Sequence, residues 1–213
     1  MKLQLALDDI TLEDALTLLH NVEPWVDIIE LGTPFIIDYG MSAVREIKSA
    51  FPDKTILADL KIMDAGQWET ELALRAGADI VTVLGVTDNL TIKACVEQAN
   101  KYGKEIMADL ICVDDLQSRI VQLEEMNVHI IAVHTGADQQ ATGRTPLDDL
   151  ALLSKTCQQS KIAVAGGINQ TTVEQYCRLS PDIIIVGSGI THSETPADDA
   201  RNIYQFIHGV KAI

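Results

Sequence analysis

Eight short apolar runs recur along the chain about every 20 to 30 residues, each followed by a longer amphipathic stretch. In order they read LQLALD, VDIIELG, TILADLK, DIVTVLG, EIMADLI, HIIAVHTG, KIAVAGG and DIIIVGSG. Between them, TLEDALTLLHNV, MSAVREIKSAF, DNLTIKACVEQANKY and DDLQSRIVQLEEM carry apolar residues at helical spacing. Strands that are apolar almost throughout imply burial on both faces, as in a parallel sheet covered by helices. Eight strand–helix pairs without a Pro/Gly/Ser linker predict one α/β domain over residues 1–213, a single (β/α)8 TIM barrel. A doubly wound open sheet is the alternative topology.

Every run ends in polar residues or glycine: Asp8, Glu30, Asp59 with Lys61, Gly85, Asp109, His134, Gly166–Gly167 and Gly187–Ser188–Gly189. In a barrel these ends converge on one face, where such folds carry their chemistry. One carboxylate at a strand end is ordinary helix capping. Four acidic ends and a histidine exceed that explanation and predict a site.

The net charge of −15 argues against nucleic acid or an anionic membrane as the main partner, since both need clustered Lys and Arg. An anionic substrate would have to be held by a local device. The four cysteines, Cys95, Cys112, Cys157 and Cys177, show no metal-binding spacing. With neither a signal-peptide pattern nor an apolar run of about 18 residues, the expected location is the cytoplasm.

Asp59 and Lys61 lie two apart, which on a strand turns both toward the barrel mouth. Asp64, three further on, can reach back to the lysine or across to a neighbouring subunit. Flanking carboxylates should keep Lys61 protonated, suited to stabilising an oxyanion and unsuited to Schiff-base chemistry. A structural ion network is the other reading. Glu30 and Asp59 end adjacent strands, with Asp8 one strand back, a hard oxygen set suited to Mg²⁺. Alternatively, Glu30 simply pairs with Lys61. His134, the only histidine at a strand end, could be a general acid/base or a satisfied structural residue. Asp109 faces the same cavity and could orient substrate or water. His20, His129, His192 and His208 read as surface residues. The glycine-rich ends Gly166, Gly167, Gly187, Ser188 and Gly189 could present backbone N–H groups to a phosphate, or serve as packing turns.

Taken together, LQLALD, DIIELGTP, AVREIKSAFPDKTILADLKIMDAG, GADIVTVLGV, AVHTGAD, AVAGGI and PDIIIVGSGI resemble the 3-hexulose-6-phosphate synthases of the orotidine 5′-monophosphate decarboxylase suprafamily. The likeness runs from Lys2 to about Ile207, and its most specific element is the D-x-K-x-x-D motif of Asp59, Lys61 and Asp64. It implies aldol joining of formaldehyde and D-ribulose 5-phosphate through an enediolate stabilised by Mg²⁺ (or Mn²⁺). It further implies Glu30 and Asp59 as metal ligands, Lys61 as the enediolate's partner, and Asp8 as support for the charge network. His134 would be the proton carrier at C1, and Asp64 would enter the partner's site in a homodimer. The related 3-keto-L-gulonate-6-phosphate decarboxylases are the alternative. Asp109, Ala137, Ala165 and Ser188 match the synthase pattern rather than the Glu, Arg, Thr and Arg implied for the decarboxylases.

Overall fold

The computed structural model describes residues 1–209. Its first half runs β1 (Lys2–Leu7), α1 (Leu12–Val22), β2 (Ile28–Leu31), α2 (Thr33–Ala50), β3 (Thr55–Ile62), α3 (Gly66–Ala76), β4 (Ile80–Leu84) and α4 (Asn89–Tyr102). The second half runs β5 (Glu105–Asp109), α5 (Leu116–Glu125), β6 (Ile130–His134), α6 (Ala137–Gln140), α7 (Leu147–Thr156), β7 (Lys161–Ala165), α8 (Val173–Cys177), β8 (Ile183–Val186), α9 (Ser188–Thr191) and α10 (Pro196–Ile207). All eight strands pair in parallel, in chain order, and β8 closes onto β1. The chain is a (β/α)8 TIM barrel, and the open-sheet alternative is excluded.

Strand alternation divides the core in two. On β1, Leu3, Leu5 and Leu7 pack outward under the helices, while Ala6 joins Ile28, Leu57, Ile80, Met107 and Ile130 inside the barrel. Side chains therefore fill the interior, and polar groups gather above this apolar plug, at the C-terminal mouth. Among the described residues no helix is long and apolar enough to cross a membrane.

The opposite, N-terminal face is held by Asp79. Its carboxylate accepts hydrogen bonds from Lys48 Nζ at 2.9 Å, Lys104 Nζ at 2.5 Å and the Ile56 N–H at 2.9 Å. His129 belongs to the same face and is half-buried, not a free surface residue: its Nδ1 accepts the Ile106 N–H. Burial works to raise the Asp79 pKa, but the bonds from Lys104, Ile56 and Lys48 outweigh it and lower it. A carboxylate whose pKa is depressed by folding contributes stability above its unfolded value and loses it as pH falls through the folded one. Asp79→Asn is expected to cost about 1–3 kcal/mol at pH 7. The gap to the parent should close below about pH 4. Urea unfolding across pH measures both; a gap that persists unchanged in acid contradicts this role.

Candidate active site

The barrel mouth brings Asp8, Glu30, Asp59, Lys61, Asp109 and His134 together, each in the C-terminal half of a strand or just beyond it. Lys61 Nζ lies 2.5 Å from Asp59 Oδ2 and 3.4 Å from Asp109 Oδ2. His134 Nδ1 lies 2.9 Å from the same Asp109 oxygen. The four side chains thus form one continuous chain from β3 across β5 to β6. Burial works against the charge on Lys61, yet Asp59 and Asp109 outweigh it and hold the ammonium above its ordinary range. Burial likewise works to raise the pKa of Asp109, but His134, Lys61 and the Ile111 N–H hold it below the usual carboxylate range. An ionised Asp109 fixes the histidine tautomer, because Nδ1 must carry the hydrogen that Asp109 accepts. Among the described residues Nε2 makes no hydrogen bond, so it is left to face a ligand.

Asp59 is nearly inaccessible, and both of its oxygens accept hydrogen bonds. Oδ1 accepts the Thr82 hydroxyl at 2.7 Å. The Thr33 hydroxyl, in the first turn of α2, lies 2.9 Å from Oδ2 and 2.7 Å from the Asp59 carbonyl oxygen. Glu30 does not pair with Lys61: its Oε2 accepts a hydrogen from Gln4 Nε2 at 2.6 Å, and no ion pair joins it to the lysine. Burial, then the charge of Asp59, pushes its carboxyl up to about 8 despite the Gln4 bond. Asp8 faces solvent at the rim with protein packed along one side. That crowding, together with Asp59, raises its pKa as well. A β-carbon on Gly32 would fall 2.0 Å from Asp8 Oδ1, so only glycine at the start of α2 leaves room for this carboxylate.

Asp64 does not join the network. It is exposed, it accepts the N–H of Ala65, and it makes no contact with Lys61. It lines a cleft of about 460 Å³ between α3 and α4, outside the mouth, together with Trp68, Glu71, Leu90 and Thr91. Large apolar side chains around it stand free: Met63 is 54% exposed, Trp68 67% and Leu90 80%.

At the far side of the mouth, Gly166 and Gly167 both have positive φ, and a β-carbon on Gly166 would stand 2.7 Å from the Thr135 carbonyl oxygen. Gly189 packs against the Ile168 carbonyl, where a β-carbon would come within 2.5 Å, so its absent side chain serves packing. Gly187 has ordinary clearance, and Ser188 is exposed as the first residue of α9. His192, just beyond α9, bonds Asp9 across the rim at 2.9 Å.

Gln4, Thr33 and Thr82 are the site residues that sequence reading missed. Gln4 left a signal, a polar residue in phase with the inward positions Ala6 and Asp8. The threonines left none: Thr82 sits in a strand, where Thr is common for packing reasons alone, and Thr33 opens a helix, where it reads as an ordinary terminal residue.

The donor set suits a hard cation. Four carboxylates face one lysine and one histidine, and burial first, then the charge of Asp59, raises the Glu30 carboxyl. Among the described residues no three metal-binding side chains converge as a ready-made cage. Two carboxylates with the remaining positions left to water or ligand oxygens is the arrangement Mg²⁺ accepts.

The model of the orotidine 5′-phosphate decarboxylase / HUMPS family matches residues 1–203. A 3-hexulose-6-phosphate synthase of Bacillus subtilis (strain 168) is 46% identical over 207 residues, covering 97% of this chain and 99% of that protein. The crystal structure of 3-hexulose-6-phosphate synthase from Salmonella typhimurium superposes with a TM-score of 0.97 at 52% identity, covering 99% of this chain and all of that one. A 3-keto-L-gulonate-6-phosphate decarboxylase from Vibrio cholerae is more distant, with TM-score 0.86 and 25% identity over 99% of both chains.

Proposed function

The chain belongs to the orotidine 5′-phosphate decarboxylase / HUMPS family, and we propose that within it the protein is a 3-hexulose-6-phosphate synthase. In this reading it joins formaldehyde to D-ribulose 5-phosphate, giving D-arabino-hex-3-ulose 6-phosphate. The supporting observation is the unbroken Asp59–Lys61–Asp109–His134 chain, which pairs a fixed cation with a proton acceptor whose outer nitrogen is free. His134 Nε2 takes the proton from C1 of the sugar phosphate, and Asp109 stabilises the imidazolium that results. Lys61 donates a hydrogen bond to the oxygen on which negative charge develops. C1 then forms the new bond to the formaldehyde carbon, whose oxygen gains a proton. Glu30 and Asp59 would hold Mg²⁺ (or Mn²⁺), which when bound supplies Lewis-acid stabilisation of the developing negative charge. Asp8 balances charge at the rim. Gly166, Gly167, Gly187, Ser188 and Gly189 receive the phosphate mainly through backbone N–H groups.

Sequence relatives at the 46% level favour the synthase over the decarboxylase. So does a mouth with Ala137, Ala165 and Ser188 where a decarboxylase would bring Arg, Thr and Arg. Incubating the protein with ribulose 5-phosphate, Mg²⁺ and formaldehyde should consume formaldehyde in a metal-dependent way. Release of CO₂ from 3-keto-L-gulonate 6-phosphate as the dominant activity would overturn this assignment.

The same reading makes the protein a cytoplasmic homodimer. Trp68 and Leu90, which line the cleft with Asp64, and Met63 beside Asp64 in the chain are exposed apolar side chains suited to burial against a second copy. Asp64 then serves the partner's site, which accounts for its distance from Lys61. Mixing Asp59→Asn and Asp64→Asn subunits, each inactive alone, should restore about 25% of parental activity, because half the dimers are mixed and each has one intact site. Activity that stays at zero after verified subunit exchange contradicts shared sites.

A further inference from the structure

Asp59 and Lys61 meet by a route that regular strand geometry does not provide. The β3–β4 register slips between Ala58 and Ile62, and Lys61 has φ 48°, a left-handed backbone that residues with side chains rarely adopt. At that slip the Lys61 N–H leaves the ladder and finds a side chain instead, Thr82 Oγ1 on β4, at 2.9 Å. The same hydroxyl donates its hydrogen to Asp59 Oδ1 at 2.7 Å. Thr82 is 3% exposed, so water cannot substitute for either bond.

From this geometry we infer that Thr82 is a positioning residue for the reaction proposed above, on which the inference rests. One oxygen holds both ends of the Asp59–Lys61 unit: it orients the carboxylate through its hydrogen and pins the lysine backbone through its lone pair. Pinning the bulge turns Lys61 Nζ onto Asp59 Oδ2 and toward Asp109 Oδ2. Thr33 grips Asp59 from the other side but does not touch Lys61, so it cannot take over this task. A hydroxyl is required; a methyl group of the same size cannot donate to Asp59 or accept from Lys61.

Thr82→Val keeps the shape and removes the hydroxyl, while Thr82→Ser keeps the hydroxyl and removes the methyl. The valine variant should lose about 30- to 100-fold in kcat with KM for the sugar phosphate changed less than about threefold, because phosphate is held across the mouth. The serine variant should stay within about threefold of the parent. Crystal structures of both variants read the Lys61 φ and the Nζ–Asp59 contact directly, whatever reaction the protein runs. The valine variant should show Lys61 displaced, and the serine variant should not. Parental kcat in Thr82→Val, or equal impairment of both variants, would overturn the proposal. If the valine variant does not fold, Thr82→Ala compared with Thr82→Ser carries the same test. If the parent itself fails to consume formaldehyde, the reaction is wrong, and Lys61 unmoved in the valine crystal would overturn the positioning role separately.

Discussion

Lys61→Ala is expected to lower formaldehyde-dependent turnover of ribulose 5-phosphate by at least about 10³-fold while leaving the barrel folded. Among the described residues Lys61 is the only lysine in the mouth network, and its charge is held in place by two carboxylates from two strands. A cation fixed beforehand stabilises developing negative charge without reorganisation, which is why removing such a group costs orders of magnitude. The lysine side chain remains a quarter exposed and lies above the apolar plug, so its loss leaves the interior packing of Ile28, Leu57, Ile80 and Met107 untouched. It does leave Asp59 and Asp109 without their countercharge, and a modest fall in melting temperature should follow. Lys61→Arg should not rescue activity, because the planar guanidinium cannot occupy the 2.5 Å contact with Asp59 in the same geometry. Circular dichroism together with a formaldehyde assay separates the two effects. A folded alanine variant with near-parental turnover contradicts the role.

The second large effect is expected from Asp59→Asn. The Asp59 carboxylate is surrounded by hydrogen donors: Thr82 at Oδ1, and Thr33 and Lys61 at Oδ2. An amide offers one oxygen and sets an NH₂ against at least one of those donors, so the substitution disrupts the network as well as removing charge. Turnover should fall by about 10³-fold or more. Mg²⁺ affinity, measured by calorimetry on the folded variant, should weaken by at least about tenfold. The calorimetric readout does not depend on activity. Unchanged Mg²⁺ affinity would remove Asp59 from the metal site and leave it as the anchor of Lys61.

Much of this was legible in the chain because a barrel converts linear order into convergence. The ends of LQLALD, VDIIELG, TILADLK, EIMADLI and HIIAVHTG meet at the mouth for topological reasons, so Asp8, Glu30, Asp59, Asp109 and His134 could be grouped without any distances. Pairing within the group was not legible. Glu30 lies on the strand next to Lys61 and Asp109 two strands away, yet Lys61 turns to Asp59 and Asp109, and Glu30 takes Gln4 instead. The cause is the slip at Ala58–Ile62, a local backbone choice that period-2 alternation cannot express. Alternation placed Asp59 and Lys61 on one side for the right outcome by an incomplete reason. Asp64 was ambiguous in sequence between reaching the lysine and reaching outward, and the short turn into α3 sends it outward. The glycines after β7 and β8 divide along similarly local lines: Gly166 and Gly167 need their positive φ, whereas Gly189 is required by packing against Ile168.

The most direct test of the proposed chemistry is ¹³C NMR of the protein with ¹³C-formaldehyde, unlabelled ribulose 5-phosphate and Mg²⁺. The expected result is loss of the formaldehyde signal and growth of a hydroxymethyl carbon bonded to the former C1 of the pentose, in a six-carbon 3-ketose phosphate, abolished by Lys61→Ala. A formaldehyde signal that persists unchanged with folded, Mg²⁺-loaded protein would contradict it.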